Sequence, residues 1–325
     1  MKEAEYYQTL NNDKVECLLC PVHCHIMPGN FGRCRSRENV DGKLIVRNFG
    51  QTVSLNPNDP VEKKPLYHFL PGQRILSIGA NFCNLHCNYC QNYQISQMKA
   101  TVRDLTREEL LLLLQQYDLE AVAFTYTEPV IWYEFVKAAS RYLVENGYKT
   151  VLVTNGYINP EPLKTLLPYI TAMNIDLKSI RDDFYRRNCD GSLQPVLDTI
   201  KYAAGKCHIE ITNLLITGEN DSDEDINDLI SFVASVDSRI PLHFSRYYPR
   251  YKLQKPETKI QRLHYAYHQA KQKLAHVYLG NIPFENIIYC ENCNHALGKR
   301  DYNIPFSLLK GKCPHCGHQN YGIWE

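Results

Sequence analysis

Three closely spaced cysteines, Cys83, Cys87 and Cys90, stand out in the stretch "NFCNLHCNYCQN". Thiolates are soft ligands that suit zinc, copper(I) and iron–sulfur clusters. A 4Fe–4S cube normally takes four cysteines, one for each iron, so three on one loop would leave one iron open to another molecule. The alternative is a zinc site completed by a remote histidine or by His86, which lies inside the loop. Both kinds of site are compatible with the spacing alone.

Most of the remaining cysteines form two further groups, one towards each end of the chain. The N-terminal group could hold zinc or a 4Fe–4S cluster, and it comprises Cys17, Cys20, Cys24 and Cys34. The C-terminal group has the paired Cys-x2-Cys spacing of a zinc ribbon, with an auxiliary iron–sulfur cluster as the alternative, and it comprises Cys290, Cys293, Cys313 and Cys316. Cys207 and Cys189 stand alone; we expect both to be structural, although a hydrogen-relay role for Cys189 is the alternative.

Composition and charge are those of an ordinary globular protein. The 325 residues include 36 Lys and Arg against 35 Asp and Glu, so nothing global points to nucleic acid or to an anionic membrane. The first residues contain no apolar signal segment, and the run Leu110–Leu114 is too short to span a bilayer. We therefore expect a cytoplasmic protein with reduced thiols, which explains thirteen cysteines as metal or cluster ligands. The arginines at positions 33, 35 and 37 are expected to form a solvated face.

Short β-type runs alternate with helical segments over residues 74–283. The apolar runs predict strands at 74–80, 121–126, 149–156, 172–178, 208–216, 242–248 and 276–282. Six strand–helix units predict right-handed crossovers and a parallel sheet, either as a doubly wound open sheet or, slightly favoured, as a barrel or partial barrel. Residues 1–73 are expected to be a Cys-rich extension and connector, irregular over 55–72, and residues 284–325 a zinc-ribbon-like module.

Ligands of such sheets gather at the carboxyl ends of the strands. The cysteine triplet directly follows the first predicted strand. Polar residues also end later strands, at 125–128, 154–155, 176–178 and 243–246. We therefore expect these side chains to surround one site.

The triplet, with Tyr89 before its last cysteine, resembles the signature of the radical S-adenosylmethionine (SAM) superfamily. That resemblance implies an α/β fold, a (βα)6 partial TIM barrel with small Cys-rich extensions at both ends. It also implies a 4Fe–4S cluster whose free iron chelates SAM and whose electron cleaves SAM. The resulting 5′-deoxyadenosyl radical would abstract hydrogen from a substrate that the sequence does not identify.

The resemblance also suggests which residues contact SAM. "YTEP" and "VTNGY" resemble SAM-binding segments and contribute Glu128 and Asn155, while "NIDLK" resembles the Asp-x-Lys element of glycyl-radical-enzyme activases. By this likeness Asp176 and Lys178 would contact the methionyl part, and His243 the ribose. An anion, a cation and neutral polar groups suit a zwitterionic sulfonium amino acid.

A narrower resemblance covers nearly the whole chain. "ECLLCPVHCHIMPGNFGRCRSREN", "DPVEKKPLYHFLPG" and "CNYCQNYQIS" resemble the radical SAM enzymes of the AmmeMemoRadiSam system, which are relatives of pyruvate formate-lyase activating enzyme. The family implies a reductant such as flavodoxin or ferredoxin and action beside Memo-like and AMMECR-like proteins. One departure is Phe82, which stands before the first cysteine where a glycine is usual.

Two alternative functions remain open at this point. The first is activation of a glycyl radical enzyme, although eighty-two residues precede the triplet here and activases usually begin near it. The second is a non-catalytic zinc-ribbon protein that binds nucleic acid, against which the balanced charge argues.

Overall fold

The computed structural model of the protein describes residues 2–299 and 310–325. Short antiparallel strands build the N-terminal extension; they are β1 (Lys2–Glu3), β2 (Tyr7–Thr9), β3 (Val15–Cys17), β4 (His25–Ile26), β5 (Arg37–Val40), β6 (Lys43–Val46) and β7 (Gln51–Thr52). They pair in the orders β1-β6-β5 and β2-β3-β4. The extension is therefore a folded module of small sheets.

A mostly parallel sheet forms the centre of the molecule. Its strands are β8 (Ser54–Pro60), β9 (Arg74–Gly79) and, after a short β10 (Arg103–Asp104) that pairs with β7, β11 (Ala121–Phe124), β12 (Lys149–Thr154), β13 (Ala172–Asp176), β14 (His208–Leu215), β15 (Leu242–Arg246) and β16 (Val277–Gly280). The order is β16-β15-β14-β13-β12-β11-β9-β8, with every pair parallel except β8 with β9. The predicted strands and the parallel sheet are confirmed.

The prediction of an irregular connection over 55–72 is wrong for its first part. Ser54–Pro60 forms the antiparallel edge strand β8, with an irregularity between Asn56 and Asp59. Prolines are tolerated there because an edge strand leaves one row of backbone groups without a neighbouring strand. The main sheet therefore begins within the predicted N-terminal extension.

Helices follow most of the parallel strands. They are α1 (Tyr93–Ser96), α2 (Arg107–Gln116), α3 (Tyr133–Glu145), α4 (Pro160–Leu166), α5 (Asp182–Phe184), α6 (Gln194–Ala203), α7 (Asp223–Val236) and α8 (Ile260–Lys271). Thr106 caps the N-terminus of α2, since its hydroxyl accepts a hydrogen bond from the Glu109 backbone N–H at 3.0 Å. Among the described residues, no helix combines the length and apolar character needed to cross a membrane.

The two faces of the sheet are covered differently. Alternate strand residues such as Leu76 and Val122 share a core with the helices, whereas Ile75 and Ala121 pack with the segment 61–70. A doubly wound sheet would carry helices on both faces, so this arrangement is that of an open barrel with the helices outside. The segment fills the barrel interior and leaves the carboxyl ends of the strands open for a site.

The C-terminal module packs against that filling segment. Its hairpin pairs β17 (Ile287–Tyr289) with β18 (Ala296–Lys299). Ile323 forms a bridge with Phe69, and the Tyr321 carbonyl accepts from the His68 ring at 2.8 Å. The C-terminal end of the chain therefore contacts the segment that fills the barrel.

Candidate active site

A cavity of about 340 Å³ lies at the carboxyl ends of the parallel strands. Its lining brings together residues from six different strand ends, among them Cys83, Cys87, Cys90, Thr127, Asn155, Asp176, Lys178, Thr212 and Ser245. Members of the groups at 125–128, 154–155, 176–178 and 243–246 thus share one cavity with the cysteine triplet, and Thr212 joins them from outside those groups. A cavity of this size accommodates a small molecule.

Neutral donors surround the cysteine loop. The Leu85 backbone N–H lies 3.4 Å from the Cys83 sulfur, and the Asn155 side-chain amide lies 3.6 Å from the same atom. The Ser96 hydroxyl lies 3.1 Å from the Cys90 sulfur. Such donors stabilise thiolates, which are the form that binds iron.

The lining of the cavity fits a cluster with an open position. Among the described residues that line it there is no fourth cysteine and no histidine. His86, the candidate zinc ligand, instead faces Asp190 at 3.4 Å. Within the described parts of the chain, the C-terminal cysteines form a group whose ligand atoms all lie within 4.8 Å of one another, and the triplet does not form such a group.

Opposite charges stand beside the triplet. The Lys178 ammonium lies 3.1 Å from an Asp176 carboxylate oxygen, and both residues line the cavity. Burial opposes the charge of Lys178, but Asp176 and the neighbouring thiols outweigh burial and hold the pKa of Lys178 well above its usual value. Lys178 therefore remains a cation, able to pair with a ligand carboxylate.

Several known proteins are similar to this chain. Residues 77–233 match the family model described as the radical SAM superfamily. An uncharacterised protein of Methanocaldococcus jannaschii is 42% identical over 333 residues, covering 98% of this chain and 98% of that protein. The chain belongs to the radical SAM superfamily.

Two more distant likenesses agree with this membership. A GTP 3′,8-cyclase of Lactiplantibacillus plantarum is 29% identical over 150 residues, or 43% of this chain and 45% of that enzyme. The crystal structure of a radical SAM methyltransferase from Sphaerobacter thermophilus superposes with a TM-score of 0.53 at 16% identity, over 65% of this chain and 67% of that chain. The second likeness concerns the fold alone. The protein is an enzyme of the radical SAM class.

Glu128 lies behind the cavity wall of this radical SAM enzyme rather than in it. Its buried carboxylate accepts hydrogen bonds from the Val130 N–H at 3.0 Å, the Thr154 hydroxyl at 2.6 Å and the Asn155 N–H at 2.8 Å. Burial raises the pKa of Glu128 to about 7, although these hydrogen bonds act in the opposite direction. The side chain therefore positions Asn155, which does line the cavity, and the structure offers no direct SAM contact from it.

His243 occupies a layer beneath the cavity. Its Nε2 atom lies 2.6 Å from a Glu210 carboxylate oxygen, and its ring packs edge-on against Tyr67. Because strand residues two apart share a face, Ser245 stands one layer higher and lines the cavity. Sequence reasoning placed residues 243–246 at this strand end but chose the histidine as the SAM contact, and it missed Thr212, which period-two counting along β14 could have found.

The contacts of Phe82 explain how the loop accommodates this residue at a position where a glycine is usual. It adopts a left-handed conformation with φ of 81°, which glycine reaches at no steric cost. Its N–H donates to the Ile95 carbonyl at 2.8 Å, and the Arg35 guanidinium lies 5.7 Å from its ring centre. These contacts hold a conformation whose cost is about 1–3 kcal/mol.

Cys189 supports the cluster loop from outside the cavity. The backbone N–H groups of His86 and Asn88 donate to the carbonyls of Cys189 and Asn188, each at 2.9 Å. The Cys189 sulfur is buried and lies 3.3 Å from the Tyr89 hydroxyl. Cys189 is not among the described residues that line the cavity, which favours the structural role over hydrogen relay.

The prediction of a solvated arginine face is wrong for Arg37. Its guanidinium is buried and makes a two-pronged ion pair with Glu134 at 2.9 and 2.8 Å. Arg33 and Arg35 reach the cluster loop and its flank, donating to the carbonyls of Asn84 at 3.2 Å and Gln97 at 3.3 Å. These arginines join the N-terminal module to the barrel.

Proposed function

We propose that this enzyme binds a 4Fe–4S cluster through Cys83, Cys87 and Cys90 and cleaves SAM reductively in the adjoining cavity. The observation that carries the proposal is that one cavity is lined by the three thiols and by the Asp176–Lys178 pair. A cluster held there supplies one electron to SAM, yielding methionine and a 5′-deoxyadenosyl radical that takes hydrogen from a substrate. The protein supplies binding, orientation and exclusion of water.

The chain's own groups match the polar parts of SAM. Lys178 pairs with the carboxylate of the methionyl part, and Asp176 faces its ammonium. The Thr212 and Ser245 hydroxyls and the Asn155 amide offer neutral donors and acceptors along the same wall. Apolar Leu85 and Leu214 also line the cavity.

Replacing Lys178 with alanine should weaken SAM binding by about 10- to 100-fold, the loss expected for one hydrogen bond between charged groups. Anaerobic calorimetric titration of the cluster-loaded protein measures the dissociation constant. The exposed Lys99→Ala variant is the matched control and should bind SAM normally. Equal affinity of Lys178→Ala and the control would remove Lys178 from the SAM site.

Metal content tests the cluster against the binding-module alternative. Protein purified without oxygen should be brown, absorb near ~400 nm and carry at least about four irons and four sulfides per chain. Colourless protein that contains zinc alone would contradict the proposal and favour a non-catalytic zinc protein.

We also propose zinc for the C-terminal cysteines. Sulfur–sulfur distances of 3.6 Å for Cys290 with Cys316 and 3.7 Å for Cys293 with Cys313 support a single tetrahedral ion. Zinc–sulfur bonds of about 2.3 Å place tetrahedral thiolates ~3.8 Å apart, whereas thiolates on four separate irons are farther apart.

Removing this zinc should loosen the module without emptying the active site. In Cys313→Ser we expect the loss of about one zinc per chain and a lower melting temperature, since zinc contributes folding free energy to small modules. Elemental analysis and thermal unfolding measure both. Retention of zinc, or loss of iron in its place, would contradict the assignment.

Membership of the AmmeMemoRadiSam system is likewise a proposal, supported by the quoted segments that span most of the chain. It carries with it the cytoplasmic location, a reductant such as flavodoxin or ferredoxin, and action beside Memo-like and AMMECR-like proteins. The activase alternative is supported by the Asp176–Lys178 pair alone. A glycyl-radical EPR doublet formed in a partner protein by this enzyme, SAM and reductant would favour that alternative.

A further inference from the structure

The N-terminal cysteines surround a small cavity of their own. Cys17, Cys20, Cys24 and Cys34 come from separate turns and strands of the N-terminal module and line one space. Apolar side chains close most of it, including Leu19, Val22, Ile26, Val130 and Ile131. The cavity therefore gathers four thiols, which could together bind a metal ion or an iron–sulfur cluster.

The arrangement of these thiols differs from that of the C-terminal set. Within the described residues, the C-terminal sulfurs are the one group of metal-ligating atoms packed within 4.8 Å of one another. The four N-terminal sulfurs do not form such a group, and they line a space of about 10 Å³. Thiolates that share one zinc ion lie about 3.8 Å apart, whereas thiolates on the four irons of a cube stand farther apart.

Unsatisfied donors line the same space. Arg33 and Arg37 both line it, and the Nε–H group of each is buried without a hydrogen-bond partner among the described residues. Side-chain exposure of Arg37 is 1%, so water does not replace that partner. The Arg33 backbone N–H also points at the Cys24 sulfur, at 3.3 Å. Sulfides and thiolates of a cluster would accept from these donors, and the cationic arginines would offset their negative charge.

The cavity borders the catalytic loop. Asn84 lines it and directly follows Cys83, whose sulfur lies 3.8 Å from the Asn84 side-chain oxygen. The Asn84 carbonyl accepts from Arg33 at 3.2 Å, so Asn84 lies between the N-terminal cavity and the catalytic loop.

We propose that Cys17, Cys20, Cys24 and Cys34 hold a second 4Fe–4S cluster, ligated by four thiolates, that passes electrons to the catalytic cluster. The assignment of this cluster site does not depend on the proposed SAM chemistry. Only the electron-carrying role of the cluster rests on that proposed function. A low-potential one-electron protein donor reduces the second cluster, which returns to its oxidised state when the electron moves on to the cluster held by the triplet. Four thiolate ligands leave no open iron, so this cluster does not bind SAM.

The test is the iron content of the variant in which Cys83, Cys87 and Cys90 are all alanine. Anaerobically purified and reconstituted, this variant should keep about four irons and four sulfides per chain, and the wild type should carry about eight of each. A triple variant without iron, or one carrying a second zinc per chain, would overturn the proposal. If the triplet holds no cluster, the proposed function fails instead, and the wild type and the triple variant will contain equal amounts of iron.

The complementary variant is Cys20→Ser with Cys34→Ser. It should lose about four irons, keep the C-terminal zinc, and keep the EPR signal that SAM perturbs. Its remaining cluster should be reduced by flavodoxin at least ten-fold more slowly than in wild type. Cys207→Ser, which replaces an isolated cysteine, is the control and should match wild type. Unchanged iron content in the double variant would contradict the site even if the variant is less stable, and unchanged reduction rate would contradict its electron-carrying role.

Discussion

Replacing Cys87 with alanine should abolish formation of 5′-deoxyadenosine from SAM, with a fall of more than about 100-fold. Changes to groups that merely support a metal ligand already cost about 10- to 100-fold, and Cys87 is proposed as a ligand itself. The described residues that line the cavity include neither a fourth cysteine nor a histidine, and the buried Cys189 side chain, which contacts Cys87, lies outside the cavity. The measurement is 5′-deoxyadenosine per enzyme with excess dithionite, by chromatography and mass spectrometry.

Two controls make this result specific. Cys207→Ala changes a cysteine away from the cavity and should leave the rate of SAM cleavage unchanged. Thermal unfolding of Cys87→Ala shows whether the fold persists, since Cys87 is buried. A folded Cys87→Ala variant that cleaves SAM at the wild-type rate would remove the triplet from the reaction.

Replacing Glu210 with glutamine should lower the free energy of unfolding by about 3–5 kcal/mol, the range measured when a buried charge network loses one member. The Glu210 carboxylate is fully buried and accepts from the backbone N–H groups of Tyr67 and His68 at 2.7–3.0 Å. The ring nitrogens of His208 and His243 lie 3.0 and 2.6 Å from it. A glutamine amide would turn an N–H₂ group towards these donors.

Glu210 matters for the site because it fastens the filling segment 61–70 to β14. It also stands two residues before Thr212, which lines the cavity on the same face of the strand. We therefore expect Glu210→Gln to weaken SAM binding indirectly. Chemical denaturation measures the stability, and the exposed Glu161→Gln variant should lie within about 0.5 kcal/mol of wild type.

The pH dependence of the stability follows from the hydrogen bonds of Glu210. Burial raises the pKa of Glu210, but hydrogen bonds from His208 and His243 outweigh burial and leave it below the usual 4.5. A carboxyl whose folded-state pKa is depressed stabilises the fold above its unfolded pKa and loses that contribution as pH falls through its folded pKa. The stability difference between wild type and Glu210→Gln should therefore be constant near neutral pH and shrink below about pH 4.5. A difference that grows on acidification would contradict this account.

Local patterns predicted much of the fold and part of the site. Continuous apolar runs predicted the parallel strands, because a strand that is covered on both faces has apolar residues at successive positions. The triplet and the Asp176–Lys178 pair were found because their members lie close together along the chain and at strand ends.

Long-range pairings were beyond sequence reasoning. Arg37 was assigned to solvent because its partner Glu134 is 97 residues away. His243 was assigned to the ribose by its likeness to an activase histidine, whereas Glu210 in the neighbouring strand holds it a layer below the cavity. Strand β8 was missed because its prolines and asparagines match turns as well as an edge strand.

The most direct test of the catalytic account is anaerobic incubation of the reconstituted enzyme with SAM and dithionite. The account predicts 5′-deoxyadenosine and methionine in equal amounts, formed by wild type and absent from the Cys83→Ala variant. Iron-loaded wild-type enzyme that binds SAM yet yields no 5′-deoxyadenosine under these conditions would contradict it.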